Sequence, residues 1–509
     1  MKSDNYLFSI LREMGALAPI VGVMALSTIP VSLYFGELFA LWPLLATAGV
    51  SFGLSLALYL PFRHIHRPLD VRTSMIIAAG GWILISIIGS LPFLFISINL
   101  AGDPGTPQTV LHFLDPINSF FESVAGFTGT GLTMTVHENL LPHTLQWWRS
   151  LIQWIGGVGV IVLAITILSK PGASSYNLYF SEAREEKIHP SVVSTVRTIW
   201  WIILLYTIIS ALSLWVVGMP LWHSINHAMT GITTGGFSVT DNSIATYNSF
   251  LIELVLIPIM LFGAISFTFH YNLLTGRFNK LKNDLQTKWL ILFTLIGIGI
   301  LTGARFMTGF LFQDFRDSAF QFASAISCTG FQTANIGSWG ATGQMLMVVG
   351  MVLGGAAGST AGGIKVIRTV LIAKGIRWQF KKITASPNEL LQFNFGSKTL
   401  NEEEASSRFL SVATVGLLWI VFLFTGVILV DLTAPVQFSL AEVLFEVASA
   451  QGNVGLSTGI TGPKMHQVNK LILSFHMWIG RLEIIPVLFF LRSLLGRGSF
   501  SSRYKSTKG

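Results

Sequence analysis

The stretch FFESVAGFTGTGLT, residues 120–133, ends in a run of glycine and threonine that recurs three more times in this chain. The other copies are HSINHAMTGITTGGFS at 223–238, FQFASAISCTGFQT at 320–333 and FEVASAQGNVGLST at 445–458. The chain between successive copies is long enough for two membrane-spanning helices. Internal repetition at this scale defines the architecture of a protein. The four copies therefore predict four equivalent structural units.

Alignment of the four stretches on one glycine brings further positions into agreement. The aligned glycines are Gly131, Gly235, Gly330 and Gly455. The residues before them are Thr130, Thr234, Thr329 and Val454. Nine residues before the glycine stand the polar residues Glu122, Asn226, Gln321 and Glu446. A turn between two helices would explain one Thr-Gly pair, whereas four copies with a shared polar position favour a common function.

The composition excludes a water-soluble protein. Of the 509 residues, 51% are hydrophobic and only 11% are charged, and the mean hydropathy is +0.64. A soluble chain carries about 25% charged residues to cover its surface. The single cysteine excludes an intrachain disulfide, and no cysteine or histidine cluster has the spacing of metal ligands. The histidines are scattered without a nucleophile–base pair, so we expect a membrane protein that is not an enzyme and carries no cofactor.

Ten stretches are long and apolar enough to cross a bilayer, which takes about 20 residues as a helix. They are residues 16–35, 40–62, 75–100, 145–168, 198–218, 250–273, 287–308, 344–374, 409–430 and 471–495. All but six of the 32 Lys and Arg residues lie in alternate connections, in the terminal segments or at the inner end of the eighth span. Basic residues collect on the cytoplasmic side of membrane proteins. We therefore expect both termini in the cytoplasm, and the net charge of +8 indicates orientation rather than a nucleic-acid partner.

The glycine–threonine runs have the properties of an ion filter. A dehydrated monovalent cation needs a ring of oxygens at nearly constant distance, and backbone carbonyls supply these without a fixed charge. Glycine permits the backbone torsions that point successive carbonyls toward one axis. The candidate filter residues are Gly129, Thr130, Gly131, Thr233, Thr234, Gly235, Cys328, Thr329, Gly330, Asn453, Val454 and Gly455.

With these motifs the chain resembles the Trk/Ktr/HKT superfamily of potassium transporters over about residues 75–495. The resemblance implies an all-α polytopic membrane protein with four helix–pore loop–helix repeats around one central pore. Two extra N-terminal transmembrane helices are similar to the Trk type rather than to the shorter Ktr type. The expected segments are 1–70 for the extra helices and 71–170, 190–275, 285–375 and 405–497 for the repeats.

The resemblance also implies a function and partners. Members of this superfamily transport potassium, and glycine in all four loops goes with preference for potassium over sodium. The expected setting is the bacterial inner membrane, with a homodimer and a cytoplasmic nucleotide-binding regulatory ring of the TrkA type docked on the basic inner loops. The chain departs from the pattern at Cys328, which takes the place of Thr233, and at Val454, which replaces the threonine. We therefore expect a ring of carbonyls with reduced symmetry.

The eighth span contains the glycine-rich stretch GGAAGSTAGG, residues 354–363, followed by Ile364 and Lys365. Each glycine inside a helix costs about 1 kcal/mol relative to alanine, so this span should be interrupted. A phosphate-binding loop requires Gly-Lys-Ser/Thr, and Ile364 breaks that order. Two interpretations remain: a close-packing glycine face, or the intramembrane gating loop that the resemblance implies below the filter. The gating residues would be Gly354, Gly355, Gly358, Gly362, Gly363, Lys365 and Arg481.

Arg481 lies inside the last predicted span. A charge at the bilayer centre costs about 2.5–3.5 kcal/mol on insertion scales. The side chain should therefore face a cavity, pair with Glu483 or reach the interface. The resemblance implies the first of these, with the arginine projecting into the pore below the filter.

The outer connections carry acidic residues with almost no counter-charge, namely Asp103, Asp115, Glu122, Glu138 and Asp241. We expect most of them to be solvated and together to raise the cation concentration at the pore mouth. Two alternatives to a potassium-uptake pore remain. A secondary cotransporter of a cation or another solute would predict inverted repeats and spans broken at mid-membrane. A less selective potassium/sodium conductor would share the same repeats.

Overall fold

A computed structural model of the chain describes residues 4–65, 70–159, 188–189, 191–306, 312–384, 393–395, 398–435 and 437–495. These residues are helical apart from turns, connections and one antiparallel hairpin, in which β1 (Phe393–Phe395) pairs with β2 (Lys398–Leu400). Six helical stretches are long and apolar enough to cross a membrane, and two bent helix pairs pass the same test together.

The chain begins with helices that precede the first repeat. They are α1 (Asp4–Leu17), α2 (Pro19–Tyr34) and α3 (Leu41–Tyr59). The first two form one apolar stretch of 29 residues, because Pro19 stands in the first turn of α2, where its missing N–H costs no hydrogen bond. Ser51 in α3 donates a hydrogen bond of 2.6 Å to the carbonyl of Ala18 and so ties α3 to the start of α2.

Each repeat consists of a first helix, a short pore helix and a second helix. The first repeat comprises α4 (Val71–Gly89), α5 (Leu91–Leu100), α6 (Gln108–Leu111), the pore helix α7 (Pro116–Thr128) and α8 (His143–Val158). The second comprises α9 (Val192–Val216), the pore helix α10 (Leu221–Ile232), α11 (Phe250–Ala264), α12 (Phe267–Leu274) and α13 (Phe278–Leu281). The third comprises α14 (Leu285–Phe306), the pore helix α15 (Phe312–Ile326), α16 (Ala341–Leu353) and α17 (Val366–Thr384). The fourth comprises α18 (Glu402–Asp431), the pore helix α19 (Leu440–Gly452), α20 (Gln467–Leu482) and α21 (Ile485–Leu495).

The pore helices are too short to cross a bilayer, since they have only 12 to 15 residues. The starts of two of them are fixed by side-chain caps: Asp115 accepts from the N–H of Ile117, and Ser439 forms a reciprocal capping box with Glu442. Phe121 and Phe445, on the faces turned to the protein, are fully buried. These helices therefore enter the membrane region and return, carrying the glycine–threonine runs at their ends.

The second helices are interrupted where the sequence predicted single crossings. The pair α11–α12 bends by 109° at Ser266, which caps the new helix, and α20–α21 bends by 119° at two residues with positive φ, Glu483 (58°) and Ile484 (72°). Between α16 and α17 lies the predicted break at 354–363. The predicted crossing at 145–168 is described only as far as Gly159, and its remainder lies outside the described residues.

Candidate cation filter and gate

All four pore loops leave their helix through the same three-residue turn. It begins with a residue in the left-handed region: Gly129 (φ 68°), Thr234 (52°), Cys328 (57°) and Asn453 (53°). The next residue donates its N–H to the carbonyl five residues earlier, at 2.9, 2.7, 3.0 and 2.9 Å for Thr130, Gly235, Thr329 and Val454. The third is a glycine with positive φ: Gly131 (85°), Gly236 (78°), Gly330 (86°) and Gly455 (94°). This pattern defines equivalent positions independently of the sequence.

The second repeat is one residue out of register in the sequence alignment. The glycine equivalent to Gly131 is Gly236, not Gly235, and Cys328 takes the place of Thr234, not of Thr233. The polar position nine residues earlier is consequently His227, not Asn226, and His227 Nε2 lies 3.0 Å from the hydroxyl of Ser238. Two adjacent glycines make either alignment possible, and only the backbone torsions distinguish them.

The ring glycines connect the four loops into a closed circle. A Cβ added to any of them would overlap a carbonyl oxygen of the next repeat, so only glycine fits. The pairs are Gly131 with the oxygen of Gly235, Gly236 with that of Thr329, Gly330 with that of Val454, and Gly455 with that of Thr130. Because the last pair returns to the first repeat, the four loops surround one axis.

Polar residues of the pore helices hold the loop segments that follow the ring glycines. Glu122 accepts from the hydroxyl of Thr133 at 2.8 Å and from the N–H of Met134 at 2.7 Å. Glu446 accepts from the hydroxyl of Ser457 at 2.8 Å and from the N–H of Thr461 at 3.0 Å. Most acidic residues of the outer connections were expected to be solvated, but Glu122 is not: both carboxylates are fully buried, because each one accepts hydrogen bonds from the backbone behind the ring.

Two polar residues of α8 reach from the first repeat into the second, and sequence reasoning missed both. Arg149 donates to Glu122 and to the carbonyl of Ser238, each at 2.7 Å, and its guanidinium lies 4.2 Å from the ring centre of Phe237. Gln153 donates to the carbonyl of Gly235 at 2.6 Å. Both side chains are buried in the membrane region. Their signal in the sequence is a row of polar residues on one face of α8, where Gln146 and Ser150 accompany Arg149 and Gln153.

Outside the ring lies a cavity of about 650 Å³ lined by residues of all four repeats. Asp241 on its wall accepts from the N–H of Asn139 at 2.8 Å, and Glu138 lies beside it. Glu138 is buried, contrary to the expectation of a solvated side chain. Burial raises the pKa of Glu138 to about 8 and outweighs the attraction of Arg149, whose guanidinium is 4.0 Å away and engaged by Glu122.

On the side of the ring opposite this cavity, the predicted loop after α16 folds back on itself. Its base is closed by hydrogen bonds from Ile364 N–H to Val352 O at 2.9 Å and from Val366 N–H to Gly355 O at 3.0 Å. Five glycines of this loop were predicted as gating residues. Three of them, Gly354, Gly358 and Gly363, have positive φ, as does Lys365. A Cβ on Gly355 would press on Ala361, and one on Gly362 would overlap the carbonyl of Gly452. The tip residue Thr360 bonds Gly263 O at 2.9 Å.

The loop touches the ring itself. The hydroxyl of Thr360 lies 3.0 Å from that of Thr234, which begins the turn of the second pore loop. Lys365 donates to the carbonyl of Ala361 within the loop. A cavity of only about 30 Å³ remains between the loop, Asn453 and Arg481, so the space beneath the ring is constricted.

Arg481 spans the constriction. Its guanidinium donates to Thr360 O at 3.0 Å, and to Gly156 O at 2.6 Å and Gly157 O at 3.2 Å at the end of α8. Glu483, the partner considered for it from the sequence, forms an ion pair with Arg368. The arginine therefore joins the loop of the third repeat to the second helix of the first.

The structure thus brings the predicted filter and gating residues together, but two of the predicted filter residues have contacts of a different kind. Thr233 lies one position before the three-residue turn and bonds its hydroxyl to Met229 O at 2.6 Å. Asn453 turns its amide to the hydroxyl of Thr130 at 2.9 Å and to Met477 O at 2.8 Å, and so links the fourth repeat to the first. Sequence reasoning missed Gly236, His227 and Thr360.

Comparison with known proteins assigns the family. The family described as "TrkH: Cation transport protein" matches residues 45–503. An uncharacterized cation transporter of Methanocaldococcus jannaschii is 32% identical, over 95% of this chain and 95% of its own length. The Trk system potassium uptake protein TrkH of Escherichia coli is 30% identical, over 87% of this chain and 89% of its own.

The crystal structure of the potassium transporter TrkH from Vibrio parahaemolyticus matches this fold with a TM-score of 0.80 at 25% identity. The match covers 96% of this chain and 100% of that chain. The predicted all-α polytopic membrane fold is thereby confirmed. This chain belongs to the TrkH family of cation transport proteins.

Proposed function

We propose that this chain takes up potassium across the bacterial inner membrane and that the ion passes through the ring of four pore loops. The observation that carries this proposal is the closed contact of each ring glycine with a carbonyl of the next repeat. The four oxygens belong to Thr130, Gly235, Thr329 and Val454. Relatives named as Trk system potassium uptake proteins support potassium as the ion.

The proposed path begins in the outer cavity, and the membrane potential can drive uptake along it without an energy source in this chain. Cations are drawn toward Asp241 on the wall of this cavity and lose water as carbonyl oxygens replace it. The membrane potential contributes about 2.3 kcal/mol per charge for each 100 mV. Side chains at the ring are neutral, so the ion is not held by a fixed charge and can leave inward.

The loop 354–365 and Arg481 act as the gate in this proposal. The loop lies against Thr234, and Arg481 places a positive charge beneath the ring. Passage requires the guanidinium to release Thr360 O and the two α8 carbonyls, and the loop to withdraw. The bond from Val366 N–H of α17 to Gly355 O at the base of the loop allows a movement of α17 to pull on the loop.

The basic inner end of α17 fits a cytoplasmic partner. Lys374, Arg377, Lys381 and Lys382 lie on this helix, directly after the loop. We propose that a nucleotide-binding regulatory ring of the TrkA type binds there and moves the gate. A homodimer of this chain and cytoplasmic termini complete the proposed arrangement.

Ion flux into liposomes that contain the purified chain tests the proposed function. We expect potassium and rubidium to enter much faster than sodium and lithium, because the ring is sized by backbone rather than by mobile side chains. Equal rates for potassium and sodium would support the less selective conductor instead. Flux that requires a second solute on the same side would support the cotransporter.

A further inference from the structure

The second helices can be aligned by a glycine that packs on their own pore loop. A Cβ on Gly156, Gly263 or Gly480 would strike the carbonyl four residues before the ring glycine of the same repeat. Three residues before this packing glycine stands Gln153 in the first repeat, but Met260 in the second and Met477 in the fourth. All three side chains are fully buried. A buried amide is costly unless it is hydrogen-bonded, so the polar residue calls for an explanation.

Gln153 satisfies both ends of its amide in the neighbouring repeat. Its Nε2 donates to the carbonyl of Gly235 at 2.6 Å, and its Oε1 accepts from the N–H of Phe237 at 2.9 Å. Only one orientation of the amide fits, because a backbone carbonyl only accepts and a backbone N–H only donates. The first repeat thus holds the second pore loop from behind, on both sides of Gly236.

This hydrogen bond makes one ring oxygen different from the others. Within the described residues, the carbonyl of Gly235 accepts a hydrogen bond, and those of Thr130, Thr329 and Val454 accept none. A donor withdraws electron density from a carbonyl and limits its movement. The oxygen of Gly235 therefore presents a weaker and more fixed field to an ion on the axis.

We propose that Gln153 is a specificity-determining residue that holds the Gly235 carbonyl at a position suited to potassium. A smaller ion binds well only if oxygens move inward, and an oxygen tied to Gln153 cannot follow it. Gln153 acts through the carbonyl and is a positioning residue rather than an ion ligand. The inference rests on the proposed function, since it takes the ring to be the filter.

Replacement of Gln153 by the methionine of the other repeats tests the inference. In Q153M the Gly235 oxygen is free, so the ratio of potassium to sodium flux should fall about three- to tenfold, the size of one hydrogen bond. Gln146→Met is the matched control. Gln146 is a buried amide on the same helix that bonds Glu138 O at 3.0 Å and Trp222 at 2.7 Å, away from the ring. It should lose stability and keep the wild-type ratio.

A second variant and a second readout keep the test independent of transport yield. Gln153→Leu should behave like Q153M. The second readout is the rise in melting temperature of the solubilised protein when potassium is added, compared with the rise when sodium is added. This measurement requires folded protein but no transport. A wild-type ratio in both Gln153 variants, or an equal fall in Q146M, would overturn the inference.

Gly330→Ala, measured in parallel, separates this inference from the proposed function. If G330A changes the ion ratio while both Gln153 variants do not, the ring remains the filter and only the role of Gln153 is lost. If G330A also keeps the wild-type ratio and flux, the proposed filter itself fails.

Discussion

The ring and the proposed gate lie against each other, yet they are built in different ways. All four repeats contribute the same three-residue turn to the ring, whereas the proposed gate comes from residues 354–365 of the third repeat and from Arg481 of the fourth. A selective site has to surround the ion with oxygens, but a single obstacle is enough to block a path. Variants of the ring should therefore change which ion passes, and variants of the proposed gate should change only how much passes.

The largest effect should come from a ring glycine. In Gly236→Ala the new Cβ overlaps the carbonyl of Thr329, and the residue must also hold a φ of 78°. Overpacking and left-handed strain together cost about 3 kcal/mol. We expect potassium flux in liposomes to fall about 100-fold and the potassium-to-sodium ratio to fall with it.

Gly340→Ala is the control for this prediction. Gly340 has open space around its Cβ position and directly precedes α16. Its flux and ion ratio should remain those of the wild type. Wild-type flux in G236A as well would show that the closed ring is not the path.

The next prediction concerns stability rather than flux and separates the first repeat from the fourth. Arg149→Met leaves Glu122 buried without its cation, which should reduce the free energy of unfolding by about 3–5 kcal/mol. Glu446, the equivalent residue, is held by hydroxyl and backbone donors. We therefore expect Glu446→Gln to cost less than R149M in a thermal unfolding series of the solubilised protein.

The double variant Glu122→Gln with Arg149→Met is the control for the ion pair. It removes the unpaired charge and should recover most of the loss. A double variant as unstable as R149M would indicate that the contacts of Arg149 with Ser238 and Phe237, not the ion pair, carry the stability.

A moderate effect is expected at the gate. Arg481→Ala removes the charge beneath the ring and the bonds to Thr360 O, Gly156 O and Gly157 O. Potassium flux should rise about tenfold, a change of about 1.4 kcal/mol in the barrier, while the potassium-to-sodium ratio stays constant. A changed potassium-to-sodium ratio at unchanged flux would assign Arg481 to selectivity rather than to the gate.

The smallest effect concerns the outer cavity. Since burial raises the pKa of Glu138 to about 8, this carboxyl is mostly protonated at pH 7 and charged at pH 9. Arg149, Glu122 and Asp241 are the charged groups that face it. One added negative charge about 10 Å from the path attracts a cation by about 0.4 kcal/mol in water. The potassium concentration for half-maximal flux should fall about twofold from pH 7 to pH 9.

Glu138→Gln should remove this pH dependence and leave the flux at pH 7 unchanged. The measurement is the concentration dependence of flux at the two pH values, with sodium replaced by a large organic cation. An equal pH dependence in the variant would assign the titration to another group.

The repeated turn could be predicted from the sequence because glycine is required at each ring position by backbone geometry. The break at 354–363 could be predicted for the same reason, since so many glycines do not continue a helix. The register of the second loop could not, because Gly235 and Gly236 are adjacent and the choice depends on which one has positive φ.

The contacts between repeats could not be predicted either. Arg149 and Gln153 bond residues of the second repeat about 80 to 90 positions away, and only the assembled ring brings these together. The bends after α11 and α20 were missed because their hydropathy continues across the break. Glu122 and Glu138 looked solvated because burial of an acid depends on partners that lie elsewhere in the chain.

The most direct test of the central claim is the position of the ion itself. Crystals of the full chain grown in rubidium would give anomalous scattering from rubidium, which stands in for potassium. We expect a peak on the axis of the ring, within coordination distance of the carbonyl oxygens of Thr130, Gly235, Thr329 and Val454. The rubidium peak should be absent from crystals grown in sodium and from crystals of G330A. An occupied site elsewhere, with an empty ring, would show that the ring is not the ion-binding site.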